Sequence, residues 1–238
     1  MMESKQLLAI FKKTDGKKIT AVLFVVLQLS LAPFVHLAKG RANLLVSFIS
    51  VCSCLLFAVF LMKGKDARKR FIAVALAFTV GADYGLVLLI ASEAEASMYL
   101  FNIAQICYFL YLYLEEESRR ERIIHLVARG TVLIVAVTAA FVILGEGADE
   151  LSVISLIYYG NLLCNCAVAF FLYKKMPAFA IGLLLFVFCD LFVGFGNLSL
   201  YFDIERDSLL YSLMYPEVNM AWVFYLPSQS LIALHVAK

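Results

Sequence analysis

The sequence predicts an all-α membrane protein: a polytopic bundle of eight transmembrane helices in a single integral-membrane domain, residues 1–238, with N- and C-termini cytoplasmic. Three observations predict it. Hydrophobic residues make up 63% of the chain and charged residues only 16%, and mean hydropathy is +0.91, more apolar surface than a soluble fold of this size can hide. The apolar residues come in runs near the ~20 that a helix needs to cross roughly 30 Å of hydrocarbon. The basic residues fall on alternate sides of those runs.

The N-terminal segment, residues 1–18, comes first. Its lysines alternate with Leu7, Leu8, Ile10 and Phe11, a pattern that suits a short interfacial helix on an anionic surface. This basic stretch is long and no convincing cleavage site follows, so the first span reads as an uncleaved helix rather than a signal peptide. The spans then run at 19–38, 44–62, 71–91, 98–114, 127–144, 151–173, 178–202 and 218–237. Short polar connections separate them, among them 63–70, 115–122 and 145–150. The run 115–122 reads as a solvated helix end with local ion pairs.

Charge fixes the expected orientation. One side receives Lys5, Lys12, Lys13, Lys17 and Lys18, then Lys63, Lys65, Arg68, Lys69 and Arg70, then Arg119, Arg120, Arg122 and Arg129, then Lys174, Lys175 and Lys238. The other receives Lys39, Arg41 and Arg206. Seventeen against three places the first side in the cytoplasm.

All six cysteines (Cys52, Cys54, Cys107, Cys164, Cys166 and Cys189) lie inside apolar runs. They read as reduced small hydrophobes, not a disulfide framework. Three histidines, His36 near the outer end and His125 and His235 near the cytoplasmic side, are too scattered for a zinc site. No nucleophile elbow or phosphate-binding glycine loop is present. No metal, cofactor or nucleic-acid partner is expected.

Two acids sit deep, Asp83 in the third span and Asp190 in the seventh. An ionisable residue inside a span is a functional-site hypothesis by default, because it costs several kcal/mol. Each lies twelve residues past the start of an outward-running span, at Phe71 and Ala178, which places both about 18 Å from the cytoplasmic edge. Gly81 and Gly85 form a small-residue face, and Asp83 points away from it. The surroundings of the two acids echo one another, Phe78 to Gly85 against Phe186 to Gly194, in the manner of parallel four-helix repeats.

Polar residues recur at helical spacing around these acids. Asp190, Gly194, Asn197 and Tyr201 form a stripe on span seven; Tyr158, Asn161 and Asn165 share a face of span six. Span eight offers Trp222, Tyr225 and Gln229, and span four Asn102, Gln105 and Tyr108. Taken singly each is interhelical glue; together with two acids they describe a polar cavity opening outward. If the acids converge, both cannot ionise easily in so dry a place, which leaves one proton donor and one carboxylate. That is the equipment of acid–base hydrolysis, and also of a proton relay or a structural hydrogen-bonded pair.

The chain resembles the YhhN-like lysoplasmalogenase family of eight-span membrane proteins. The resemblance is carried by Gly81-Ala82-Asp83-Tyr84, by Gly182 through Phe186 to Asp190, and by Tyr225-Leu-Pro-Ser-Gln229. The family's His-x-x-Tyr appears here as Gln105-Ile-Cys-Tyr108, its Lys-Pro as Lys39-Gly40, and Cys189 stands where a serine is usual; Ala82 separates the glycine from Asp83. The resemblance implies a cell-membrane hydrolase that cleaves the vinyl ether bond of lysoplasmalogens, or of similar single-chain lysophospholipids, and releases a fatty aldehyde. Asp83 and Asp190 are then the catalytic pair. Asn102, Gln105, Tyr108, Asn161, Asn165, Asn197, Tyr201, Tyr225 and Gln229 line the substrate site, and the lipid enters from the bilayer. A proton-coupled lipid or small-molecule transporter and a non-enzymatic lipid-binding protein are the alternatives.

Overall fold

A computed structural model describes residues 2–37, 40–62, 66–89 and 94–237, with side chains from Gly16 onward. Nine α-helices are described: α1 (Met2–Leu37), α2 (Arg41–Leu61), α3 (Arg70–Asp83), α4 (Ala94–Glu115), α5 (Arg119–Leu144), α6 (Glu150–Phe171), α7 (Pro177–Asn197), α8 (Leu209–Met214) and α9 (Met220–Ala237). A 3-10 turn, Ala67–Lys69, leads into α3, and a π-helical turn, Tyr84–Leu88, extends it. All but α8 belong to a segment long and apolar enough to cross a bilayer, eight in total. The protein is a multi-pass membrane protein with an all-helical fold.

Several bounds differ from expectation, and a short extra helix, α8, lies between the seventh and eighth spans. The backbone of α1 is one helix from Met2, so residues 5–18 run on into the first span as one helix instead of forming a separate short one. The side chains of residues 2–15 lie outside the described residues. The fifth helix starts at Arg119, eight residues before the expected span, because Ser118 caps it by accepting from the Glu121 N–H. Near the far end of α7, Ser208 caps the short α8 by accepting from the Tyr211 N–H at 3.1 Å.

The helices divide into inner and outer. Half of the most apolar stretch of α4, α6 and α9 is buried, against 17% of that of α1 and 11% of that of α5, which leaves the outer faces for lipid. Gln28 fastens the outermost helix: its Nε2 donates to Ser53 Oγ (2.6 Å) and the Ser50 carbonyl (3.2 Å), and its Oε1 accepts from Ser50 Oγ (2.5 Å). The closest approach joins α7 to α9. A Cβ at Gly182 would stand 3.1 Å from the Ser228 carbonyl oxygen and 3.2 Å from the Ile232 nitrogen, so the missing side chain lets the two backbones touch.

One end of the bundle gathers the basic connections. Lys17, Asp66, Lys69 and Ala237 line one cavity of about 270 Å³ there. Glu115 joins Arg68 (3.1 Å) and Lys175 (2.9 Å). Of the run 115–122, Glu117, Arg119, Arg120 and Glu121 are exposed as expected, but its first two acids are not: the side chains of Glu115 and Glu116 are 5% and 3% exposed. Glu115 links three connections, while His125 and Arg122 hold Glu116. Beside Glu115, the Lys175 ammonium is held above its ordinary range.

Candidate functional site

Asp83 closes α3 at the point where the helix widens. Beyond it the Leu89 N–H reaches back five residues to the Tyr84 carbonyl at 3.2 Å, a π turn of the kind frequent at functional sites. Gly81 brings α4 onto the opposite face, where an added Cβ would be 3.4 Å from Leu100 Cδ1. Asp83 therefore turns toward α9 and is 4% exposed. Tyr225 of α9 donates its hydroxyl to Asp83 Oδ2 at 2.6 Å.

Asp190, midway along α7, has an analogous partner: Tyr158 of α6 donates its hydroxyl to Asp190 Oδ2. The two tyrosines come from different positions in the proposed four-helix echo, spans eight and six, so the hydrogen-bond donors do not follow the repeat. A lone acid in mid-bilayer costs about 2.5–3.5 kcal/mol. A hydrogen bond to a charged acceptor returns about 1.5–3 kcal/mol, so one tyrosine offsets much of the cost at each acid.

Phe186 of α7 stands between the two tyrosines. Its ring centroid lies 5.4 Å from that of Tyr225 and 6.4 Å from that of Tyr158. Phe101 packs on Tyr158 from α4 at 5.5 Å and Trp222 on Tyr225 from α9 at 5.5 Å. Across this aromatic wall Asp83 and Asp190 are close enough to act on each other electrostatically. Their environments differ. Asp83 is enclosed, whereas Asp190 keeps partial exposure, and the next turn of its helix is open, since a Cβ at Gly194 would meet nothing within 4 Å.

The other expected residues divide into two groups. Tyr225, Gln229 and Tyr108 lie inside with Asp83. Gln229 and Tyr108 are fully buried, and the Gln229 amide and the Tyr108 hydroxyl have no protein hydrogen-bond partner. Asn161, Asn165 and Gln105 form a separate network. Arg129 of α5 donates through Nη1 to Asn161 Oδ1 (2.7 Å) and through Nη2 to Asn165 Oδ1 (2.6 Å). Asn165 Nδ2 passes the chain on to the Gln105 carbonyl and Oε1, both at 2.9 Å. Asn102 bonds the Met98 and Ile154 carbonyls and ties α4 to α6. Asn197 ends α7, exposed.

Tyr201 leaves the expected stripe. A 3-10 turn at Leu198–Leu200 breaks the helical spacing, and the Tyr201 hydroxyl faces Asp149 Oδ1 at 3.4 Å, beside the start of α6. Burial, then the Asp149 carboxylate, pushes this phenol up from its ordinary range.

Sequence reasoning undervalued two residues and missed a third. Tyr158 was placed on a polar face but not assigned to Asp190. Arg129 is counted with the charges of the basic side, although it falls inside the expected span; Ser118 three residues before Glu121 is a capping signature that starts the helix at Arg119 and sets Arg129 almost three turns in. Thr79, one turn before Asp83, is fully buried with an unpartnered hydroxyl. All six cysteines are free. Among the described residues no three His, Cys, Asp or Glu side chains are grouped as metal ligands.

The YhhN family model matches residues 42–236, which covers α2 to α9 and leaves α1 outside. No curated protein and no solved structure matches the chain.

Proposed function

The chain belongs to the YhhN family, and from that premise we propose that it hydrolyses the vinyl ether bond of lysoplasmalogen-like lysophospholipids by acid–base catalysis. The observation that carries this reading is the pair Asp83 and Asp190, within electrostatic reach of each other inside the bundle and each held by a tyrosine of another helix.

The chemistry needs one proton donor and one carboxylate. The donor protonates the vinyl carbon distant from the ether oxygen, leaving an oxocarbenium ion at the carbon next to it. A carboxylate stabilises that cation. Water adds to the cationic carbon and gives up a proton to a carboxylate. The resulting hemiacetal breaks its carbon–oxygen bond and yields a fatty aldehyde and the glycerophospho head group. Protons balance over the cycle, and one water is consumed. A single-chain lipid reaches Asp190 along the open turn at Gly194, with its head group toward Asn197.

Purified protein given lysoplasmalogen is expected to release aldehyde, and Asp83→Asn and Asp190→Asn to lose about 10²–10⁴-fold in rate. An inactive wild type, or aspartate variants as active as wild type, sinks the mechanism. Proton-driven flux in sealed vesicles with no product formed would instead identify a transporter.

A further inference from the structure

We infer that Thr79, Tyr108 and Gln229 form a buried water site one helical turn from Asp83, which makes Asp83 the base that receives a proton from the attacking water and Asp190 the acid that protonates the lipid. The role assignment rests on the hydrolase reading; the water site does not.

Register brings the three residues to one level. α3 and α9 run antiparallel and are fastened where Tyr225 donates to Asp83. About one turn from that bond toward the basic end, four residues along each helix, are Thr79 on α3 and Gln229 on α9, about 6 Å below Asp83. Tyr108 of α4 sits against Thr79 and within electrostatic reach of Asp83. All three side chains are 0% exposed. Thr79 Oγ1, Tyr108 Oη, and Gln229 Nε2 and Oε1 all lack a protein hydrogen-bond partner, although the Thr79 and Tyr108 hydroxyls lie side by side.

Four such atoms at one level are unusual, because buried polar groups are nearly always paired and leaving one unpaired costs about as much as a lost hydrogen bond. Water is the ligand that fits. It needs two to four polar partners, and this level offers hydroxyls that both donate and accept, an amide donor and an amide acceptor. A lipid head group does not fit, since the level is closed and carries no cation.

The reaction consumes one water per turnover, and Asp83, not Asp190, adjoins this supply. Water moving up one turn meets the Asp83 carboxylate, forms its bond to the cationic carbon and loses its proton to that carboxylate. Asp190, on the open side by Gly194, meets the incoming alkenyl chain and gives its proton to carbon. Gln229, Tyr108 and Thr79 are positioning residues in this scheme.

The test uses the full chain in detergent and the near-isosteric variants Thr79→Val, Tyr108→Phe and Gln229→Met. A hydrated site loses a water partner in each, so the melting temperature falls, by about 2–4 °C for a chain of this size. A dry site sheds an unpaired polar group, so the melting temperature rises, and a rise in all three overturns the water site whatever the activity. The kinetic arm follows aldehyde release in H₂O and D₂O. Gln229→Met is expected to lower kcat about 10²-fold, the scale for a misplaced reactant, with KM unchanged and a smaller solvent isotope effect, because water addition replaces proton transfer to carbon as the slow step. An unchanged isotope effect in an active but slowed Gln229→Met enzyme overturns the assignment of Asp83. A wild type that releases no aldehyde fails the hydrolase reading and the role assignment with it, while the melting temperatures still decide the water site.

Discussion

Tyr225 donates its hydroxyl to Asp83 Oδ2 at 2.6 Å across the contact between α9 and α3. Removing only that oxygen keeps the ring against Phe186 and Trp222. Tyr225→Phe is therefore expected to cost about 1–3 kcal/mol of stability through an under-satisfied buried acid. Tyr158→Phe repeats the experiment at Asp190. Both variants are expected to slow aldehyde release with smaller losses than the aspartate variants. Thermal melts beside kinetics check this; wild-type melting of Tyr225→Phe would show that the bond does not hold Asp83.

How much of this was legible in the sequence depends on the range of the interaction. Hydropathy and charge are summed over whole spans, so they registered eight crossings and the basic end correctly. Asp83, Asp190 and Tyr225 were legible because polar groups are conspicuous in apolar runs. Their pairing was not, because helical spacing gives the direction of a side chain but not which helix it meets. Tyr158, Asn161 and Asn165 show this: they share one face by spacing, yet Tyr158 goes to α7 and the two asparagines to Arg129 on α5. Tyr201 was lost from its stripe because nothing in its spacing announces a 3-10 turn at residue 198.

Gly182 is the tightest point of the bundle. A Cβ there meets Ile232 Cγ1 at 2.8 Å, which a rotamer change can relieve, but also two backbone atoms of α9 at 3.1 and 3.2 Å, which cannot turn away. Gly182→Ala is expected to destabilise by about 1–3 kcal/mol, the usual cost of overpacking. Gly194→Ala on the same helix meets nothing within 4 Å and serves as the control. Equal melting temperatures for the two variants would contradict the close packing of α7 on α9.

Asn165 is the hinge of the Arg129 network, since it accepts from the guanidinium and donates twice to Gln105. Arg129 itself stacks 4.4 Å from the Phe109 ring centroid, so its loss also removes a ring contact. Arg129→Leu and Asn165→Leu are expected to be non-additive, with a coupling of about 1–3 kcal/mol in a double-mutant cycle. Additive melts would mean that the two side chains act independently.

Glu115 is the acid on which the basic end converges. Its side chain is 5% exposed while Arg68 and Lys175 are 42% and 43% exposed. The cations remain solvated when the acid is removed, so Glu115→Gln is expected to cost less than breaking a fully buried pair, about 1–3 kcal/mol. Added salt narrows the difference from wild type by screening the two exposed partners. Melts at low and high ionic strength check both points, and a salt-independent difference would place the effect in packing.

Asp149 opens α6 through a reciprocal cap. Its Oδ1 accepts from the Ser152 N–H at 2.7 Å, and Ser152 Oγ accepts from the Asp149 N–H at 3.0 Å. The bonds from Ser152 hold the Asp149 carboxyl below its ordinary value of 3.8. A carboxyl lower in the folded state than in the unfolded one contributes stability that is fully present above the unfolded value. It is lost as pH falls through the folded value. Asp149→Ala is therefore expected to cost about 1 kcal/mol near neutral pH, the usual worth of an N-cap. The gap between variant and wild type begins to close near pH 3.8 and continues to close at lower pH. Melts across that range measure it directly, and a gap that widens in acid would mean that the cap acts through something other than the charged carboxylate.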